Sequence, residues 1–177
     1  LTQKDISISM QTIESFNSSV IDAVCERRSF VRNPRTLSFN MIGSEMPEKL
    51  QIARHPHGEI EGFRVWEISE KFVIEDTDYS EQLRLKDFAD ISINQNDAIV
   101  DSLERSDKRP IVHWIPINQS RKARLTSPSG SGFRIDDGLI ENIDLVEGAI
   151  VQLERVGFAR IEKIPENGPV DLLYLHG

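Results

Sequence analysis

Whatever chemistry this chain performs must come from a few short stretches. In residues 151–162, VQLERVGFARIE, Val151 and Leu153 put apolar side chains on odd positions, while Val156 and Phe158 put them on even ones. The inward parity flips between Leu153 and Val156, which predicts a β-bulge at Glu154 and Arg155; bulges insert an extra residue, re-aim a side chain and gather beside working sites. Gln152, Glu154 and Arg155 would then present an amide that donates and accepts, a carboxylate acceptor and a fixed fork of guanidinium donors. Those groups suit the reading of hydrogen-bonding edges rather than bond breaking. The other candidates are weaker. His55 and His57 have a spacing that offers two metal ligands, with no third His or Cys close in sequence, and they read as a loop pair. Asp136 and Asp137 could be paired acids, but no pocket accompanies them. His113, beside Trp114, reads as a core or rim histidine. The run SPSGSGF lacks the Lys-Ser/Thr of a phosphate-binding loop and reads as a turn. No catalytic residue and no metal ligand is assigned.

The elements that must position these groups are mostly strands. Only SMQTIESFNSSVIDAV is strongly helical: Met10, Ile13, Phe16, Val20, Ile21 and Val24 recur at three- and four-residue spacing, with Ser9 as N-cap. After it, RTLSFNMI, KLQIAR, KFVIED, QLRLKDF, PIVHWIPI, RKARLT, AIVQLERVGFARIEKI and VDLLYLHG are short and often alternating. Turn residues such as Gly43, Pro56, Gly58, Gly130 and Gly168 separate them. Many short strands favour barrels or sandwiches. The expectation is a mainly β chain with one leading α-helix.

Bulk properties bound the function. The 177 residues are enough for one full core or two small ones, and no apolar run approaches the roughly 20 residues that span a bilayer. Cys25 is the only cysteine, so disulfides within the chain and a Cys-based zinc site are excluded and a reducing cytoplasm is expected. The first residue is Leu1 rather than Met, which suggests part of something longer. The net charge is −8, yet basic residues cluster in residues 25–35 and 104–124, and acidic ones in 67–81 and 136–147. Such segregation can make a basic face on an acidic body, the footprint of a phosphate-backbone partner.

Several phrases then occur in one order: FNSSVID, RRSFVRNP, HPHGEIEGFR, KFVIEDTDY, QLRLKDFADI, RPIVHWIP and VQLERVGFARIE. Together they resemble the C-terminal anticodon-binding region of class I glutamyl- and glutaminyl-tRNA synthetases, most closely the archaeal-type glutamyl enzyme. The resemblance implies two β-barrels of the glutamyl/glutaminyl type that grip the anticodon arm. It divides the chain into residues 1–26 as helix and connector, 27–98 plus 168–177 as the first barrel, and 99–167 as the second. The HIGH-like and KMSKS-like signatures of the catalytic domain are absent from this sequence, so that domain would lie N-terminal to the matched part.

The same resemblance implies roles for single residues. In the glutaminyl branch the Gln and Arg of a Q-F-E-R phrase contact splayed anticodon bases, and here the phrase is Gln152, Leu153, Glu154, Arg155. Arg27 falls where that branch has an Arg for the middle anticodon base; Arg109 and Arg124 stand near further base contacts. Arg105, Lys108, Arg121 and Lys122 would touch phosphate, which positions without specifying. The implied partner is the anticodon stem-loop of glutamate tRNA, with glutamine tRNA as the alternative. ATP and Mg²⁺ would serve the parent ligase and no cofactor this chain. A glutaminyl enzyme, a stand-alone RNA-binding barrel and a protein-interaction module remain as other readings.

Overall fold

The computed structural model describes residues 20–22, 24–40, 46–57 and 60–177. Val20, Ile21 and Asp22 are helical; the rest of the expected leading helix lies outside the described residues, as do the turns at Gly43 and Gly58. Nearly all else is β. The strands are β1 (Glu26–Arg28), β2 (Phe30–Arg32), β3 (Pro34–Phe39), β4 (Lys49–Ala53), β5 (Phe63–Glu67), β6 (Lys71–Glu75), β7 (Gln82–Leu85) and β8 (Asp90–Asn94). They continue as β9 (Asp97–Ser102), β10 (Ile111–Val112), β11 (Ile115–Pro116), β12 (Ser120–Ser129), β13 (Gly132–Glu141), β14 (Ile150–Leu153), β15 (Gly157–Lys163) and β16 (Val170–His176). Among the described residues no helix is long and apolar enough to cross a membrane.

Alternation explains why these segments are strands. Leu83 and Leu85, Ile91 and Ile93, and Ala123 and Leu125 are buried on one face, with more exposed neighbours between. They build two seven-stranded sheets and a two-stranded one. The first sheet runs β1-β14-β15-β16-β12-β13-β2, and its two ends, β1 and β2, are neighbours in sequence separated only by Ser29. One short run of chain therefore pairs parallel with β14 on one side and antiparallel with β13 on the other. The second sheet, β10-β7-β8-β9-β3-β6-β11, repeats the device. Here β10 pairs parallel with β7 and β11 antiparallel with β6, on either side of His113 and Trp114. Each sheet thus curls into a nearly closed barrel with almost no exposed edge, the all-β answer to unpaired edge groups.

Sheet membership departs from the expected boundaries. Residues 34–116 supply the second sheet, whereas the first consists of β1, β2 and the strands of residues 120–176. The last strand does share a sheet with the first strands, but it sits between β15 and β12 rather than beside strands of residues 27–98. The chain leaves the first barrel after β2, completes the second, and returns. Alternation marks a strand without naming its sheet.

Separate clusters fill the barrels. Phe30, Leu125, Leu153 and Leu172 belong to the first, and Leu37, Phe72, Leu83 and Trp114 to the second. Val31, Val73 and Ile115, with Leu139 against them, form a third cluster drawn from strands of both sheets. The β4–β5 hairpin turns Ile52, Arg64 and Trp66 inward, with Trp66 edge-on to Trp114 at 5.2 Å between ring centroids.

Candidate nucleic-acid interface

The seam between β1 and β14 sets the first two candidate residues. Arg27 is the register partner of Gln152. Val151 and Leu153 point into the barrel, so Gln152 and Arg27 face outward on the same side. The backbone of Arg27 is fixed on both sides by the hairpin region: its N–H donates to the Arg54 carbonyl at 3.0 Å, and its carbonyl accepts from Arg64 Nη1 at 2.5 Å. Its guanidinium lies 3.6 Å from Asp22. Arg27 Nε and Gln152 Oε1 are both buried without a hydrogen-bond partner among the described residues.

Beyond Leu153 the chain makes a hairpin and not a bulge, and the inward parity does not flip: Val151, Leu153, Ala159 and Ile161 all belong to the core of the first barrel. Leu153 pairs with Gly157, and Glu154, Arg155 and Val156 form a three-residue turn, with Val156 N–H donating to the Leu153 carbonyl at 3.0 Å. A three-residue turn pairs residues four apart and so keeps parity; Phe158, the register partner of Gln152, is buried on the other face against His176, which made the sequence look flipped. Arg155, the middle residue of the turn, takes the left-handed conformation at φ +61°. Gly157 follows at φ +130°, where a Cβ would lie 2.6 Å from the His176 carbonyl oxygen. Bulge-like register shifts do occur nearby, between β15 and β16.

The turn reaches the second barrel. Glu154 is buried and accepts from Lys86 Nζ at 2.6 Å, so it holds Lys86 rather than Arg155. Arg155, 52% exposed, grips Asp78 through two bonds of 2.5 and 3.2 Å. Its Nη1 also stands 3.5 Å from His113 Nδ1. His113 Nε2–H donates to the Phe30 carbonyl at 3.0 Å, which leaves Nδ1 as the acceptor facing Arg155. Burial pushes the imidazole below its ordinary value despite the nearby Glu75 carboxylate. His113 is therefore neutral and structural.

A buried ion pair locks the hairpin to the first barrel. Glu141 accepts from Arg64 Nε at 2.6 Å, Trp66 Nε1 at 2.9 Å and the Ser29 N–H at 3.3 Å. Between the hairpin, the β1–β14 seam and the β7–β8 turn lies a cleft of about 370 Å³, lined among others by Arg27, Gln51, Phe63, Lys86 and Glu154.

The remaining candidates are not gathered there. Arg109 is only 11% exposed; its guanidinium binds Asp107 at 2.9 Å, the Ile91 carbonyl at 2.9 Å and Asp101. That makes it a clamp on its own loop. Arg105 and Lys108 are exposed on the same loop. Arg124 and Lys122 line a different hollow with Asn33, Pro34 and Asp137, and Arg124 bonds Asp137 at 3.2 Å. Arg121 donates to the Pro165 carbonyl. The basic segment of residues 25–35 is also not a free basic face: Arg28 pairs with Glu26, Arg32 with Glu75 and Arg35 with Asp76. Charges segregated along the sequence are recombined in space. Two residues that sequence reasoning left without a role are Lys86, in the phrase QLRLKDF, and Phe63, in the phrase HPHGEIEGFR.

No protein-family model matches the chain. Among curated proteins it is 30% identical to a glutamate–tRNA ligase of Methanosarcina barkeri over 92% of the chain and 29% of that protein. Identity is 29% to the glutamate–tRNA ligase of Pyrococcus furiosus, over 99% of the chain and 32% of the relative. It is 32% to that of Methanocorpusculum labreanum, over 97% and 31%. The chain spans about three tenths of the length of the relatives it matches.

Proposed function

We propose, for a chain similar over nine tenths or more of its length to archaeal glutamate–tRNA ligases, that it is the region of such an enzyme that grips and reads the tRNA anticodon. One observation carries the reading. Arg27 and Gln152, far apart in sequence, stand side by side with buried polar atoms that have no partner among the described residues, and Arg155 follows in the adjoining turn. Unpaired loop bases expose their Watson–Crick edges, and an amide beside guanidinium forks is suited to read them. Asp78 and His113 take up three of the five N–H donors of Arg155 and fix its plane, leaving two for a base.

The proposed units are two nested barrels, residues 26–32 with 120–176 and residues 34–116. Joining glutamate to tRNA with ATP and Mg²⁺ would belong to residues outside this chain, in the cytoplasm. Among the described residues no group of three or more His, Cys, Asp or Glu could hold a metal.

The test is a binding series against anticodon stem-loops of glutamate and glutamine tRNA, with each anticodon base altered in turn. Arg155→Ala should cost about 1–3 kcal/mol on the matched loop and less once its base is changed. Lys108→Ala should weaken all loops alike and reduce the salt slope by about one. Equal losses for Arg27→Ala, Gln152→Ala and Arg155→Ala on every loop would refute the reading.

A further inference from the structure

The outer face of the β4–β5 hairpin carries an aromatic ring that the barrels do not use. Phe63 is 58% exposed, whereas Ile52 and Trp66 on the opposite face of the hairpin are buried. Its cross-strand partner is Ala53, itself exposed and too small to cover the ring. Both residues line the 370 Å³ cleft, together with Gln51 and Pro56, and Arg27 and Lys86 line it too. A cleft of this size lies within the usual range for ligand sites, about 300–1,000 Å³.

The charge of the cleft decides what it would take. Lys86 is held by Glu154 at 2.6 Å and has Asp87 at 3.9 Å, and Arg27 is 3.6 Å from Asp22, so the cations are balanced by carboxylates. Such a site has little net attraction for a phosphate. It does offer an uncovered aromatic face, guanidinium and amide donors, and carboxylate acceptors, the combination that holds a flat heterocycle by stacking and by its edge. An apolar protein side chain would leave those polar walls unmatched.

We infer that Phe63 is a stacking platform for one unpaired base of the bound RNA loop, with Arg27 and Gln51 placed to meet that base's edge. The inference rests on the anticodon-reading proposal and adds a residue that the resemblance did not supply. Base–aromatic stacking is tolerant of base identity, so Phe63 contributes affinity while its neighbours discriminate.

The experiment uses the full chain and a synthetic glutamate-tRNA anticodon stem-loop carrying 2-aminopurine at each anticodon position in turn. One position should change fluorescence on binding, and Phe63→Ala should abolish that change and weaken binding about five- to a hundred-fold. Phe63→Trp should retain binding and Phe63→Leu should not, because an aliphatic side chain has no π-face. The residue is on the surface, so none of the three variants should unfold the chain, and circular dichroism checks this. If Phe63→Ala binds like wild type while Arg27→Ala loses base discrimination, the platform is overturned and the reading stands. If the wild-type chain binds no stem-loop, both fall.

Discussion

Replacing Glu141 by Gln should loosen the hairpin that frames the cleft, and the structure sets the size of the effect. Glu141 is 0% exposed and Arg64 1% exposed, so both charges are out of water. The carboxylate accepts from Arg64, Trp66 and the Ser29 N–H, while Arg64 also donates to the carbonyls of Arg27 and Ala53. Removing one partner of such a pair leaves an uncompensated buried charge, at a cost of about 3–5 kcal/mol. An apolar double replacement should not recover that loss in full, because Trp66 Nε1 and the Ser29 N–H would each lack an acceptor, at about 1–3 kcal/mol apiece. Urea unfolding followed by the fluorescence of the two buried tryptophans, Trp66 and Trp114, is the direct assay. With a slope of about 1–3 kcal/mol per molar, the midpoint should fall by at least about 1 M at unchanged slope. Hydrogen exchange at the Arg27 amide, which donates to Arg54, should quicken in parallel. A loss below about 1 kcal/mol, or unchanged exchange at Arg27, would show that the hairpin is held by apolar packing alone.

Three further outcomes are expected. Gly138→Ala should destabilise the first barrel by about 1–3 kcal/mol, since a Cβ there would press on the Val31 carbonyl and come within 2.9 Å of the Phe30 ring; thermal unfolding reads it directly. The His113 imidazole is held below its ordinary value by burial, so below about pH 6.5 the unfolded chain binds a proton that the folded chain does not, and stability should fall with falling pH by up to about 1.4 kcal/mol per unit. In His113→Gln that part of the slope should vanish, and identical slopes in urea titrations from about pH 5 to 7 would contradict the assignment. Deleting residues 170–177 removes β16 from between β15 and β12, so amide exchange should rise in the first barrel before the second; the opposite order would contradict the sheet topology.

Local pattern determined a good deal of this protein. The alternation in QLRL and RKARLT marked strands because successive side chains point to opposite faces whatever the rest of the chain does. The strand does break after Leu153, though its inward parity is unchanged on the far side, and ordered phrases singled out Arg27, Gln152 and Arg155 as candidates. What periodicity could not supply was anything that depends on distant chain segments. It could not show that Phe158 is buried on the opposite face from Leu153, against His176, and so mistook a hairpin of constant parity for a bulge. Nor could it assign β16 to the barrel of residues 120–176, since sheet membership follows from where the chain returns in space. It read clustered arginines as a basic face, although tertiary contacts give Arg32 to Glu75 and Arg109 to Asp101. It gave Phe63 no role, because only the β4–β5 pairing turns that ring outward beside Arg27. Strand character is a short-range property of the backbone; closure of the barrels, the pairing of charges and the walls of the cleft are made by residues brought together only when the chain folds.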